Sequence, residues 1–348
     1  MKKMIVLYRE LAGYFVHAMN YLADTHGVYI DIVAYPVKSD APFRFEFSER
    51  IRVHSREEMT EESIIELIAS TQPQLIFCGG WSDKEYLKVV RAHQKIPALV
   101  GFDKQWLGSL RDRLGSTYLR WAVKPYFKYA FVPGKQQQCF ARAMGFPERA
   151  IFQGAYICET QRFERLFLKR ESIKKSSEKR LVYAGRYAEE KDIQSLWDVF
   201  LKLKKAGTLE NWTLHCIGTG PLQNSAVKDH SIVHHGFLQG KAMDDIMESG
   251  DVFILPSKYE PWGVVVNEFA LAGYPLILST AVGAASALYL ENGILFEAGN
   301  KSALEAALVA MSQWTEEQLL QMGRKSHQLS SVLDEEQYAQ SILKMMKL

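Results

Sequence analysis

The sequence predicts an α/β protein built from two parallel-sheet domains, and three observations lead to this prediction. Both halves of the 348-residue chain alternate short apolar runs with longer amphipathic stretches, a pattern typical of strands that alternate with helices. The length and the hydrophobic content of 47% suit two globular domains. A charged stretch at residues 161–180 separates the halves. Strands that alternate with helices pair in parallel, and helices then cover both faces of the sheet.

In the first half, the pattern predicts five strands and five helices. The strands are expected at residues 4–8, 29–35, 75–78, 98–101 and 130–133, where the chain is apolar. The helices are expected at residues 14–25, 60–70, 82–93, 107–128 and 135–144, between those runs.

The second half restarts the same alternation. Strands are predicted at residues 181–184, 212–217, 232–235, 251–255 and 275–278, and helices at 193–206, 241–248, 264–272, 301–311 and 316–329. An amphipathic helix at 335–346 ends the chain. We therefore expect a first domain over residues 1–160, a connection over 161–180 and a second domain over 181–332.

Composition excludes several classes of protein. The formal net charge of +2 is too small for a dedicated nucleic-acid binder, and no basic-aromatic RNA motif is present. No apolar run approaches the ~20 residues that span a bilayer, and residues 4–8 are too short for the core of a secretion signal. The four cysteines are scattered and the nine histidines lack ligand spacing, so we expect a cytoplasmic protein with reduced thiols and no metal site.

The segment from Asp251 to Gly273 is the most informative in the chain. It predicts a buried strand, a short loop and a helix that begins near Gly263. A helix N-terminus at the end of a parallel strand suits a phosphate, because its backbone N–H groups lack partners. Glu260 in the loop could accept hydrogen bonds from hydroxyls beside that phosphate, and Glu268 in the helix could hold a second polyol. These features together predict a nucleotide sugar as the ligand.

Two further loops carry candidate donor contacts. After the strand at 181–184, Gly185 permits a close turn, and Arg186 and Lys191 could bind a diphosphate. The alternative for this pair is two surface cations at a junction between a loop and a helix. Gly218 and Gly220 follow the strand at 212–217 in the sequence Gly-Thr-Gly-Pro, which is a tight turn or a nucleotide loop.

These motifs resemble family 4 of the retaining glycosyltransferases, also called glycosyl transferases group 1. The resemblance rests on Glu260 and Glu268 separated by seven residues, Pro256-Ser257 before them, residues 271–277 after them, and the loops at 185–191 and 218–221. It implies the GT-B fold, in which two Rossmann-like domains face each other across a cleft. It also implies that the helix within residues 333–348 packs back on the first domain.

The resemblance assigns roles to the candidate residues. Arg186 and Lys191 hold the donor diphosphate without a metal, Glu260 holds sugar hydroxyls, and Glu268 holds the ribose. The remaining donor contacts are Gly185, Gly218, Gly220, Phe237 and the backbone amides of Trp262, Gly263 and Val264. The chain departs from the family pattern at Gly283-Ala284, where a Gly-Gly turn followed by a Glu is usual.

The first domain carries weaker signals. The amide of Gly13 either faces the cleft or belongs to a plain turn. Asp103 could orient the acceptor hydroxyl or accept its proton, and the alternative is an Asp that caps a helix or lies in a turn. Trp81 either stacks on a sugar or lies in the core. The stretch 107–128 mixes cations with apolar residues, so it could lie on an anionic membrane at the inner face of the cell membrane. We favour an ordinary surface helix whose apolar residues face the core.

The resemblance and the residues together predict a retaining glycosyltransferase. It would move a hexose-type sugar from a nucleoside-diphosphate sugar to an acceptor hydroxyl on a glycan or a lipid-linked molecule, in cell-surface polysaccharide or glycolipid synthesis, and would need no cofactor. The alternatives are a catalytically silent GT-B partner or regulatory subunit and a GT-B nucleotide-sugar epimerase. The sequence leaves the base, the sugar and the acceptor open.

Overall fold

The computed structural model describes residues 1–37, 42–172 and 177–347. These residues form two compact units. The first unit consists of residues 1–37, Phe43–Cys158 and 333–347, and the second consists mainly of Glu159–Val332. Each unit has its own parallel sheet with helices, so the predicted α/β class with two Rossmann-like domains is confirmed.

The sheet of the first unit has seven parallel strands. These are β1 Lys2–Tyr8, β2 Val28–Ala34, β3 Ile51–Ser55, β4 Leu75–Gly79, β5 Ala98–Gly101, β6 Tyr129–Val132 and β7 Ile151–Gln153. They lie in the order β3-β2-β1-β4-β5-β6-β7. The helices of this unit are α1 Gly13–His26, α2 Glu61–Thr71, α3 Lys84–Ala92, α4 Leu110–Ala122, α5 Lys135–Ala143 and α13 Glu335–Lys347.

The sheet of the second unit has six parallel strands. These are β8 Lys179–Ala184, β9 Trp212–Ile217, β10 Ile232–Gly236, β11 Val252–Leu255, β12 Leu276–Ser279 and β13 Gly293–Phe296, in the order β10-β9-β8-β11-β12-β13. The helices are α6 Thr160–Ser172, α7 Ile193–Lys205, α8 Lys241–Ser249, α9 Val264–Leu271, α10 Ala285–Leu288, α11 Lys301–Ser312 and α12 Glu316–Ser330. Strands β11 and β12 are buried at every residue, as expected where helices cover both faces.

All ten predicted strands are present, but β3, β7 and β13 were missed. Each of the three gives a weak signal in the sequence. Only the first residue of β3 is buried, β7 has three residues, and β13 begins at Gly293. They all lie at or beside the edge of a sheet, where fewer neighbours demand apolar side chains.

The predicted connection at residues 161–180 instead forms most of α6 in the second unit. One face of α6 is buried through Phe163 and Leu166, a periodicity that the many charges of this stretch obscured. Arg170 is also buried, where it donates to the carbonyl oxygen of Met247 at 2.9 Å and stacks on the ring of Tyr274. These contacts make α6 part of the packed domain. Residues 173–176 lie outside the described residues.

The helix predicted at 107–128 is shorter than expected. Its apolar face also lies on the solvent side of the helix, not on the side of the core. Helix α4 ends at Ala122, and a 3₁₀ turn follows at Lys124–Tyr126, where Pro125 lacks the N–H that an α-helix would use. We expected its apolar residues to face the core. That expectation is wrong for Leu110, Leu114, Tyr118 and Trp121, which are among the most exposed large apolar residues that the structure describes.

Helix α13 packs against α1 within the first unit. Tyr338, Ile342, Leu343 and Met345 are buried in the core that they share with α1 and the sheet. Polar contacts fix the register, because Glu335 lies 2.7 Å from His17 Nε2 and Glu336 accepts a hydrogen bond from the hydroxyl of Tyr21 at 2.9 Å. The last helix is therefore part of the core of the first unit.

Replacing Ile342 by alanine should test this packing. We expect Ile342→Ala to lower the free energy of unfolding by about 2–5 kcal/mol, because it leaves a cavity under α13. Gln337→Ala on the exposed face of the same helix should change it little. Chemical denaturation of both variants measures the difference. Equal stability of the two would contradict the packing.

Candidate functional site

Two loops of the second unit lie side by side at the carboxyl ends of β8 and β11. The first, residues 185–192, contains a 3₁₀ turn at Glu189–Lys191. The second runs from residue 256 to 263. The backbone N–H groups of Lys258 and Tyr259 both donate to the carbonyl oxygen of Glu190, at 2.8 and 3.2 Å. The ammonium of Lys258 lies 2.7 Å from the carboxylate of Asp192, so backbone and side chains hold the two loops together.

Lys191 and Glu260 form an ion pair between these loops. Their side chains are only 15% and 11% exposed. The hydroxyl of Ser257 lies 3.5 Å from the same carboxylate oxygen that accepts from Lys191. A pair this buried resists separation, because removing either partner leaves an uncompensated charge in a poorly solvated place. The sequence motifs at 185–191 and 256–263 thus meet through their two charged residues.

The backbone around Glu260 is fixed by the loop after β12. Gly283 donates to the carbonyl oxygen of Glu260, and Ala284 donates to that of Trp262, both at 2.9 Å. The turn at Gly283-Ala284 therefore supports the Glu260 loop even though it lacks the second glycine of the family pattern. The side chain of Trp262 is buried and donates to Asn267 at 3.0 Å, so only its backbone is available to a ligand.

Gly263 ends the loop in a left-handed conformation with φ +90°, directly before α9 begins at Val264. A Cβ atom at Gly263 would lie 3.0 Å from Cγ of Glu260. A glycine is therefore needed both for the backbone conformation and for the position of the carboxylate. The predicted helix N-terminus beside Glu260 is present.

Gly218 and Gly220 allow the loop after β9 to touch the loop after β8. A Cβ atom at Gly218 would lie 2.0 Å from the carbonyl oxygen of Gly185, and one at Gly220 would lie 2.7 Å from that of Tyr187. The contact is made by backbone, since Tyr187 donates to the carbonyl oxygen of Thr219 at 2.8 Å. The Gly-Thr-Gly sequence is thus required by close approach of two strand-end loops.

The remaining predicted donor contacts surround these loops. Arg186 is exposed and pairs with Glu190 at 2.5 Å, four residues further along the chain. Phe237 directly follows β10, whose last residue, Gly236, accepts a hydrogen bond from Gly218 at 2.7 Å. The structure therefore groups Arg186, Lys191, Glu260 and the predicted glycines of the second unit at the carboxyl ends of the strands of one sheet.

Glu268 lies on α9 and is only partly exposed. Burial raises the pKa of its carboxyl to about 7, against the lowering effect of Arg162, and the nearby charges of Asp244 and Glu159 raise the pKa further. Arg162 itself donates twice to Asp244, at 2.6 and 2.8 Å. Arg162 was missed because α6 was interpreted as a connection, and Asp244 on α8 was missed because its role depends on the contact with Arg162. Lys258 was missed because its role depends on a contact with Asp192.

The first unit has a pocket of about 550 Å³ at the carboxyl ends of β1, β4 and β5. It is lined by residues that include Tyr8, Arg9, Trp81, Asp103, Lys104 and Tyr156. Burial raises the pKa of Tyr156 well above its usual range, so its hydroxyl stays protonated and donates to the carboxylate of Asp103 at 3.1 Å. Asp103 is not a helix cap, because Ser109 caps α4.

Trp81 and Gly13 have mixed outcomes. Trp81 packs edge-on against Phe102 at 5.1 Å, as a core residue would. It also lines the pocket, so its position is compatible with a sugar contact as well. Gly13 is the first residue of α1, and a Cβ atom there would meet no atom within 4 Å. The structure thus shows no steric need for a glycine at position 13.

The described parts of the chain contain neither a cluster of metal ligands nor a membrane-spanning helix. Among residues 1–37, 42–172 and 177–347, no three His, Cys, Asp or Glu side chains are grouped as metal ligands would be. In the same ranges, every helix is too short or too polar to cross a bilayer.

Comparison with solved structures shows that the fold is GT-B. The chain superimposes over 99% of its length on the sucrose-phosphate synthase of Thermosynechococcus elongatus, covering 98% of that chain, with a TM-score of 0.74 and 16% identity. It also matches Anabaena HepE in complex with UDP and glucose, with a TM-score of 0.67, 14% identity and 99% of each chain covered. The predicted fold family is confirmed.

Residues 178–313 match the model of the family described as glycosyl transferases group 1. An uncharacterized glycosyltransferase of Methanocaldococcus jannaschii is 29% identical over 128 residues, which are 34% of this chain and 32% of that protein. This relative and two other curated relatives are matched over only 20% to 35% of their own length. The resemblance of the second unit to the group 1 glycosyltransferases is confirmed, and the assignment to family 4 stays a prediction.

The raised pKa of Glu268 predicts a stability that depends on pH. Between the ordinary carboxyl pKa of about 4.5 and the folded value of about 7, the folded protein holds a proton that the unfolded chain has lost, so this group destabilises the fold as pH rises. Glu268→Gln should therefore melt at a higher temperature than wild type at pH 8 and at a similar temperature at pH 4.5. A lower melting temperature at pH 8 would show instead that Glu268 is ionised and paired with Arg162.

Proposed function

We propose that the protein is a retaining glycosyltransferase that moves a hexose-type sugar from a nucleoside-diphosphate sugar to an acceptor hydroxyl. The observation that carries the proposal is the buried Lys191–Glu260 pair beside the N-terminus of α9. It places a cation, a carboxylate and the first N–H groups of a helix within one small region. A phosphate linked to a polyol needs these three kinds of partner. The family match over this region, and the complex of the similarly folded Anabaena HepE with UDP and glucose, support the same ligand class.

The ion pair can remain intact while it binds a ligand. An ammonium has three N–H donors and a carboxylate has about four acceptor positions, so a single contact between them leaves both with further capacity. In the proposal, Lys191 and Arg186 donate to the diphosphate, and Glu260 accepts from hydroxyls of the sugar. Glu260 holds the ammonium of Lys191, and Glu190 orients the guanidinium of Arg186 at 2.5 Å, so both cations have a carboxylate partner before the ligand arrives.

In this proposal, no residue of the enzyme acts as a nucleophile. The bond from the anomeric carbon to the diphosphate oxygen breaks, and a bond to the acceptor oxygen forms on the same face. The acceptor proton passes to the departing phosphate oxygen. Arg186 and Lys191 stabilise the negative charge that grows on that phosphate, which is the part that a metal ion would otherwise play. Glu268 holds the ribose of the nucleotide, and Asp103 orients the acceptor hydroxyl.

The acceptor belongs to the 550 Å³ pocket of the first unit in this proposal. Its walls combine aromatic rings, among them Tyr8 and Trp81, with the charged side chains of Arg9, Asp103 and Lys104. Rings suit the apolar face of a sugar, and the charged groups suit its hydroxyls. We place the product in cell-surface polysaccharide or glycolipid synthesis.

Loss of either cation should slow transfer. We expect Arg186→Ala to lower turnover by ~10²-fold or more, the size of a lost contact to charge in the transition state. Lys241→Ala is the matched control, because Lys241 is also an exposed cation paired with a carboxylate four residues away. Turnover of both is to be measured with a nucleotide sugar in excess EDTA. Near wild-type turnover of Arg186→Ala, or activity that requires an added metal, would overturn this assignment.

Substitutions of Glu260 and Glu268 should affect the binding of the sugar and of the nucleotide differently. Glu260→Gln keeps the shape and removes the charge, so we expect weaker binding of the sugar nucleotide and little change for the bare nucleoside diphosphate. A charge-assisted hydrogen bond contributes roughly 1.5–3 kcal/mol. Glu268→Gln should weaken both ligands. Calorimetry with both ligands on both variants measures this. If Glu260→Gln binds and transfers as wild type does, a silent partner becomes the better interpretation.

A further inference from the structure

The outward face of α4 is apolar, which is the reverse of an ordinary surface helix. Leu110, Leu114, Tyr118 and Trp121 are between 65% and 77% exposed. The buried positions of the same helix are Asp112, Ser116 and Leu119. Scattered exposed apolar residues are normal on proteins, but four large ones on one helix face are not.

The four side chains form one continuous stripe. Their spacing of four, four and three residues places them on the same side of a helix with 3.6 residues per turn. Leu110 lies in the first turn of α4 and Trp121 in the last. The stripe therefore extends over the full length of α4.

Cations flank the stripe on both sides. At 100° per residue, Arg111 lies beside one edge of it, and Arg113 and Arg120 lie beside the other, all three exposed. The single acidic residue of α4, Asp112, is buried and lies 3.1 Å from the ammonium of Lys104. The exposed side of the helix thus carries apolar and positive side chains, with Thr117 as an uncharged polar residue and with no acidic residue.

We propose that α4 lies in the interface of an anionic lipid bilayer and docks the first unit on it. Leucine side chains enter the acyl boundary, tyrosine and tryptophan suit the headgroup level, and arginines reach the anionic headgroups from both edges. A second copy of the chain would bring the same three cations to the interface, where like charges repel, whereas an anionic bilayer supplies the opposite charge. The charge pattern therefore favours lipid over a second copy of the chain.

The position of α4 gives this docking a consequence for the site. The chain runs from β5 through Asp103 and Lys104, which line the pocket of the first unit, and α4 begins six residues after Lys104, at Leu110. A bilayer under α4 would therefore contact a helix that is close in sequence to the residues of this pocket. This position suits an acceptor that is anchored in lipid. The docking itself does not depend on sugar transfer.

Sedimentation of the full-length protein with vesicles tests the docking in the absence of any donor. We expect the wild type to sediment with vesicles of phosphatidylglycerol and phosphatidylcholine at low salt, and to be released at high salt because exposed charges are then screened. Leu114→Glu with Trp121→Glu should lower the partition coefficient at least tenfold. Leu168→Glu is the matched control, because Leu168 is an equally exposed leucine, at 65%, on helix α6. It should bind as wild type does.

Three outcomes would overturn the proposal. The first is wild-type protein that stays in the supernatant with anionic vesicles, and the second is a double variant that sediments as wild type does. The third is a wild-type dimer that the double variant dissociates, as measured by analytical ultracentrifugation without lipid, since the stripe would then be covered by a second copy. Melting curves check that the substitutions leave the fold intact. Arg113→Glu with Arg120→Glu is a second test that leaves the apolar residues in place, and it should also lower binding to anionic vesicles.

Discussion

The arrangement of the second unit depends on the buried ion pair between Lys191 and Glu260. Each charge is poorly solvated and relies on the other, so the loops that carry them must stay together. Breaking a buried pair by removing one partner typically costs about 3–5 kcal/mol. This constraint fixes a cation and a carboxylate at the N-terminus of α9 before any ligand is present. Preorganised charges cost no rearrangement when negative charge develops on a leaving group.

The ion pair can form only because backbone packs directly on backbone around it. Gly218 and Gly220 allow the loops after β8 and β9 to touch, and Gly263 leaves room for the carboxylate of Glu260. The loop after β12 completes the support through the N–H groups of Gly283 and Ala284. Four strand-end loops thus converge at one edge of the sheet, which is where parallel α/β folds place their ligands. The single glycine at 283 is sufficient, because both bonds use backbone N–H groups.

Fully buried strands and motif glycines were predictable from the sequence, because burial on both faces demands continuous apolar runs and close approach demands glycine. The edge strands β3 and β13 were not, since few neighbours constrain their side chains. Helix α6 was not predicted as part of the domain, because Arg170 is buried against carbonyl oxygens, whereas a charged residue in a sequence usually indicates an exposed position. For the same reason Arg162 was missed beside Glu268. The outward apolar face of α4 could not be read from periodicity, which gives a stripe but not the side that faces the protein.

The central claim is that the Lys191–Glu260 region binds a nucleoside-diphosphate sugar. A thermal-shift titration of the wild-type protein with UDP-, GDP- and ADP-sugars tests it most directly. A ligand of the folded state at a hundredfold excess over its Kd adds about 2.7 kcal/mol of stability. We predict a rise in melting temperature with at least one of these donors, larger than the rise with the free sugar. Melting temperatures unchanged by every nucleotide sugar at millimolar concentration would contradict it.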